Sequence, residues 1–148
     1  MLKLGLLKDY SDDDVLQWIV REFAPSPAHE GAESKPVPDD IASVESLNAT
    51  YEVLIARNDD LDYAGRCWIV LRRKSDGAIM EASGSHCSCY GFEDQWSPQA
   101  SSFVYLLSDN CPETHDHRDG DDDYDDGINA DRIAARAECI RLMAAIAA

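Results

Sequence analysis

The sequence predicts an α+β domain, a three-stranded antiparallel sheet with an N-terminal helix and two C-terminal helices packed on one face. Three patterns point there. A Ser-capped stretch with helical spacing opens the chain, two β-branched runs meet across an Asp-Gly turn in its middle, and helical periodicity returns near its end. The length of 148 residues suits one domain with a sizeable core, and no internal repeat divides residues 1–148.

The first helix is expected over Asp12–Phe23. Ser11 is placed to cap it, and Asp12, Asp13 and Asp14 set negative charge where the backbone dipole favours it. Val15, Leu16, Ile19, Val20 and Phe23 form its apolar stripe, and Pro25 and Pro27 end it. Residues 24–38, rich in Pro, Ser, Ala and Glu, read as an exposed, flexible loop. Strands are expected at Thr50–Arg57, Cys67–Arg73 and Ala78–Gly84, with Asn58–Asp62 as a polar connection between the first two. Asp76-Gly77 is a hairpin signature. As a two-residue turn it sets Ser75 against Ala78, Arg72 against Glu81 and Cys67 against His86. Ser97-Pro98 has the form of a helix start, leading through Phe103, Leu106 and Leu107. Residues 109–127 read as an acidic loop. A closing helix is expected over Ala130–Ile146, with Ile133, Ala137, Ile140 and Ala144 as its apolar line.

Charge is the dominant compositional fact. Thirteen Lys and Arg stand against 29 Asp and Glu, a formal net charge of −16. Such a surface repels phosphate, which argues against direct binding to nucleic acid or to an anionic membrane and for a basic protein partner. No apolar run approaches the roughly 18 residues that span a bilayer, and the opening Met1–Lys8 is too short for a signal peptide. Five cysteines cannot all pair, and the spacing of Cys67, Cys87, Cys89, Cys111 and Cys139 matches no secreted disulfide framework. A cytoplasmic setting is expected.

Four groups of residues could carry chemistry. His86, Cys87, Cys89 and Cys111, with His115 and His117 nearby, offer enough imidazole and thiolate for a zinc ion, although the spacing is not that of a zinc ribbon or finger. Cys87 or Cys89 beside His86 would need a thiolate-activating base, and no third orienting group is identifiable. The run Asp119–Asp126 invites comparison with a calcium loop, but Asp126 stands where the turn needs Gly and Arg132 where it needs a bidentate Glu. Tyr90, Phe92 and Trp96 surround the Cys-Ser-Cys turn and suit either an interface anchor or a lid on the sheet.

The segment Gly84–Pro98, G-S-H-C-S-C-Y-G-F-E-D-Q-W-S-P, resembles a G-S-H-C-S-C-Y-G-x-E-x-Q-W-x-P signature of small uncharacterised phage and prophage proteins. The upstream stretch from Tyr51 through the Asp-Gly hairpin looks similar as well, so the likeness covers about a third of the chain. It carries no activity or functional residues with it. It implies a setting, the bacterial host cytosol, where small acidic proteins resemble inhibitors of defence nucleases, including anti-CRISPR and anti-restriction proteins.

The expected function is therefore non-enzymatic. The chain would bind a basic nucleic-acid-binding protein or nuclease complex, with Asp119, Asp121, Asp122, Asp123, Asp125 and Asp126, together with Asp12, Asp13 and Asp14 and the Asp59, Asp60 and Asp62 loop, imitating phosphate charge and Tyr90 and Trp96 anchoring the contact. An immunity protein against a nuclease toxin fits the same pattern. A zinc-stabilised adaptor built on the His86, Cys87 and Cys89 turn, and an enzyme using Cys87 or Cys89, are the other classes considered.

Overall fold

The computed structural model describes residues 1–25, 36–61, 64–87, 91–115 and 126–147. The class is α+β, and the sheet is larger than expected. Five strands lie in the order β1-β2-β3-β4-β5: Leu2–Gly5, Tyr51–Leu61, Ala64–Arg73, Ile79–His86 and Gln99–Ala100. β1 runs parallel to β2 and every other neighbour is antiparallel, so the sheet is mixed. A parallel pair needs a crossover. Here it consists of α1 (Asp12–Phe23), a short 3₁₀ turn at Asp39–Ile41 and α2 (Val44–Thr50). The short α3 (Phe103–Leu106) and the long α4 (Asp126–Ala147) complete the chain.

Helix α1 has the expected bounds. Ser11 Oγ accepts from Asp14 N at 3.1 Å, and Val15, Leu16, Trp18, Ile19 and Phe23 are buried. Ser43 caps α2 in the same way through Ser46 N at 3.0 Å. The crossover packs on one face of the sheet, where Val15, Ile19, Phe23, Ile41 and Leu47 meet Val53, Ile69, Leu71, Met80 and Ala82. The other face is not left open. Phe103, Leu106, Cys111, Ala135 and Cys139 cover Leu4, Leu54, Ile55, Trp68 and Val70. The helices thus divide between two faces instead of sharing one, because β3 buries Cys67, Trp68, Ile69, Val70 and Leu71 without a break. A strand with no solvated side must be covered twice.

Three further expectations are corrected. Asn58–Leu61 is the end of β2, paired with Ala64–Cys67, where a polar connection was expected. The helix expected from Ser97 is replaced by β5, whose Gln99 and Ala100 pair with Glu81 and Met80, and the helix begins only after Ser102, which caps Tyr105 N at 3.1 Å. In α4 the core-facing residues are Ala135 and Cys139, while Ile133, Ala137, Ile140 and Ala144 are exposed.

The β3–β4 hairpin forms, but its register is two residues from the one a two-residue turn would give. Leu71 faces Met80, Val70 faces Glu81 and Gly65 faces His86, so Arg72 lies opposite Ile79 and Cys67 opposite Gly84. The reason is side-chain chemistry at the turn. Arg73 N donates to Ala78 O, closing a four-residue loop, and Asp76 holds it by accepting Ala78 N at 3.1 Å and Arg73 Nε and Nη2 at 3.0 and 2.6 Å. Gly77, at φ 75°, completes the reversal. A slip of two leaves every side chain on its expected face, since strand side chains alternate with period two. A second irregularity does change facing. Between Val53 and Ile55 the register of β2 shifts, so Leu54 and Ile55 both enter the second core while Val53 and Ala56 enter the first.

The Arg73 guanidinium and the Ala78 amide together pull the Asp76 carboxyl down to about 2. A depressed carboxyl supports the fold fully above its ordinary value of 3.8 and loses that support as pH falls through the folded value. In an NMR titration Asp76 should therefore remain ionised at pH 3, and Arg73→Ala should return its midpoint toward 3.8. A midpoint unchanged by that substitution would contradict the turn described.

Candidate functional site

β4 ends at His86, and residues 91–98 return beneath it. The connection is organised by Gln95, whose side-chain amide pairs with Ser85 as a neighbouring strand would. Its Oε1 accepts Ser85 N at 2.8 Å, and its Nε2 donates to Ser85 O at 2.8 Å and to Gly91 O at 3.2 Å. Phe92 then drops into the first core, stacked on Phe23 at 5.6 Å and edge-on to His86 at 4.8 Å. Those rings leave no room for side chains across the sheet. A Cβ at Gly84 would lie 2.7 Å from the Phe92 ring, and one at Gly65 2.2 Å from His86 Nε2.

Trp96 is also a core residue. Only 9% of it is exposed, and its Nε1 donates to Asp40 Oδ2 at 2.9 Å. Tyr51 OH donates to the same oxygen at 3.1 Å, and burial followed by the Asp40 charge raises the Tyr51 phenol. Trp96 therefore closes the sheet as a lid and offers a partner little surface. Tyr90, the other expected anchor, lies outside the described residues. The Gly, His, Gln and Trp positions of the signature string are thus accounted for by folding contacts. Beside the turn lies a cavity of about 490 Å³ lined by Ser85, His86, Cys87, Gly91, Glu93, Asp94 and Gln95.

Of the expected zinc ligands, two are separated by the sheet. His86 packs against Phe92 in the first layer, whereas Cys111 is fully buried in the second. Cys87 is exposed, and Cys89 and His117 lie outside the described residues. Among the described residues no three His, Cys, Asp or Glu side chains converge on a point that would hold a metal ion. Burial pushes Cys67 and Cys139 up to about 12 and raises Cys111 as well, so these three are neutral core thiols with no nucleophilic character. His86 Nδ1 contacts the Cys87 carbonyl oxygen at 2.8 Å, an engagement with backbone instead of with a thiol.

Charge is distributed unevenly. Cations are turned inward onto this chain: Lys3 meets Asp12 at 2.8 Å, Lys8 meets Asp131 at 3.3 Å, Arg21 meets Glu22, Arg72 meets Glu52, Arg73 meets Asp76, and Arg141 meets Glu138. Lys74 and Arg136 donate to the carbonyl oxygens of Asn48 and Leu107. Arg57, 3% exposed, lies over Trp68 and between Asp59 and Glu113, and Arg66 reaches Glu113 from outside. Desolvation lowers the Arg57 guanidinium and raises the Asp59 carboxyl, and their mutual attraction opposes both shifts. Asp131 joins the group by accepting Gly5 N at 3.1 Å, which ties the start of α4 to the end of β1.

Among the described residues, a group of carboxylates without a cation lies on the crossover layer. Asp9, Asp13, Asp14, Asp39 and Glu45 are exposed and meet no cation among the described residues. Asp12 beside them remains 62% exposed in its ion pair with Lys3. Sequence reasoning named Asp12, Asp13 and Asp14 but missed Asp39 and Glu45, which the packing of α2 and the 3₁₀ turn against α1 brings onto the same layer. Of the acidic run singled out in the sequence, Asp119, Asp121, Asp122, Asp123 and Asp125 lie outside the described residues, and Asp126 is the first residue of α4. No family model, curated protein or solved structure matches this chain.

Asp40 is the hinge of the lid. Replacing it by Ala strands two donors, Trp96 Nε1 and Tyr51 OH, and should cost about 2 kcal/mol or more in urea denaturation, with Asn retaining part of the loss. An unchanged midpoint for Asp40→Ala would contradict the shared acceptor.

Proposed function

We propose that this protein is a non-enzymatic inhibitor that binds a basic, nucleic-acid-handling protein through clustered carboxylates. The observation that carries the reading is the asymmetry of pairing among the described residues: the cations are spent on contacts within the chain, while Asp9, Asp13, Asp14, Asp39 and Glu45 meet no described cation and lie on one layer. Carboxylates fixed on Ser-capped helices hold their spacing at low entropic cost, as phosphates do along a duplex. Uncompensated charge also steers a cationic partner inward over a distance set by salt. The Asp119–Asp126 run would add density to the same sign of field.

The cellular setting proposed is the bacterial host cytosol, and the role is of the anti-defence kind that the signature suggests, directed at a nuclease complex. An immunity protein that neutralises a nuclease toxin would use the same surface. No helix among the described residues is long and apolar enough to cross a membrane.

The test is competition. Protein immobilised in bacterial lysate should capture a basic nucleic-acid-binding protein at about 50 mM salt, release most of it by about 200 mM, and release it to added duplex nucleic acid at low salt. Asp9→Asn, Asp13→Asn and Asp14→Asn combined should weaken capture about tenfold without changing thermal stability by more than a few degrees. Capture that survives saturating duplex and is indifferent to the triple substitution would overturn the reading.

A further inference from the structure

Helix α4 is apolar on two sides. Its inner side gives Ala135 and Cys139 to the second core, with Leu142 partly buried beside them. Ile133, Ala137, Ile140 and Ala144 form a second line almost opposite, at spacings of four, three and four, and all four are exposed. Ile133 and Ile140 leave 45% and 49% of their surface open, and Met143, 40% exposed, flanks the line. A helix that is apolar all round is normally covered all round. Ile133 borders a small pocket with Asp109, Thr114 and His115, and none of the described residues covers the line from Ala137 to Ala144.

We infer that α4 pairs with α4 of a second copy of this chain, antiparallel, to form a two-fold symmetric dimer. The spacing is that of the d and a positions of a coiled coil. The order of sizes selects the partner. Reversing the line Ile-Ala-Ile-Ala and laying it against itself puts Ile133 opposite Ala144 and Ala137 opposite Ile140 of the second copy, then the same two pairs again by symmetry. Every large side chain meets a small one, so the seam interdigitates without a void or a clash. A parallel pairing would set Ile against Ile and Ala against Ala.

The edges of the seam agree. In the antiparallel pairing the edge that carries Arg136 also receives Met143 of the second copy, and the edge that carries Arg141 receives Ala134. The aliphatic stems can then cover the seam, and although each arginine shares its edge with its symmetry mate, Met143 or Ala134 stands directly across from it. Arg141 is already held by Glu138, its Nε donating to Oε2 at 3.0 Å. The outer line itself carries no carboxylate, and Arg136 and Arg141 are exposed beside it, so the contact adds no close pair of like negative charges to a chain of net charge −16. A seam of one helix per copy falls below the ~800 Å² per partner of a standard interface, which predicts a dimer that dissociates on dilution through the micromolar range.

The experiment is sedimentation equilibrium of the full chain across that range, at low and at high salt. The expected result is a monomer–dimer equilibrium that tightens as salt screens the net charge of −16, the reverse of the salt response expected for capture of a basic partner. Ile140→Glu should abolish the dimer while leaving the circular dichroism spectrum and melting midpoint unchanged, because the residue touches solvent in the monomer. Ala137→Leu should weaken the dimer about tenfold although it adds apolar surface, because Leu collides with Ile140 of the second copy. A chain that stays monomeric into the millimolar range would assign the face to a different protein and overturn the inference. So would a dimer that persists in Ile140→Glu or tightens in Ala137→Leu.

Discussion

The rest of the structure depends on β3 being buried on both of its faces. Cys67, Ile69 and Leu71 need cover on one side and Trp68 and Val70 on the other. One layer comes from the crossover that a parallel β1 requires, and the other from α3, residues around Cys111, and α4. The β2 bulge adjusts the balance by sending both Leu54 and Ile55 to the second layer. With its apolar surface committed in this way, the domain has two outer surfaces of different character. The crossover surface is carboxylate-rich, and the α4 surface is apolar with arginine edges.

This division gives the two surfaces separate physical roles. Carboxylates on α1, the 3₁₀ turn and α2 act at long range and weaken with salt. The outer line of α4 acts only at contact and strengthens when like charges are screened. Both can operate at once, since the two layers lie on opposite sides of the sheet. A dimer built on α4 would present two acidic layers facing away from each other.

Much of this was legible in the chain where the signal is local. Helix α1 is read to the residue because Ser11, three aspartates and the stripe from Val15 to Phe23 act within a single short helix. The Asp-Gly hairpin was visible, but its register depends on Asp76 bonding back to Arg73 and Ala78, which dipeptide rules do not encode. β1 is four residues long and pairs with residues over fifty positions away, so nothing near it announces a strand. The run Cys67–Leu71 already carried the evidence for two layers, because a half-exposed strand alternates and this one does not. The outer line of α4 was mistaken for the core line because a helix apolar on two sides shows two equally good stripes, and only packing decides between them.

The signature turn was legible as a string and opaque as chemistry. Gln95 and Asp40 organise it, yet their partners stand ten, eleven and fifty-six positions away, and neither residue type stands out in sequence. Hydrogen exchange of the protein, alone and saturated with a captured basic partner, tests the account most directly. The account predicts new protection on residues 9–23 and 39–47, with α4 unaffected beyond any change in dimer population. Protection confined to the cavity beside Cys87 or to α4, with the acidic layer exchanging as before, would contradict it.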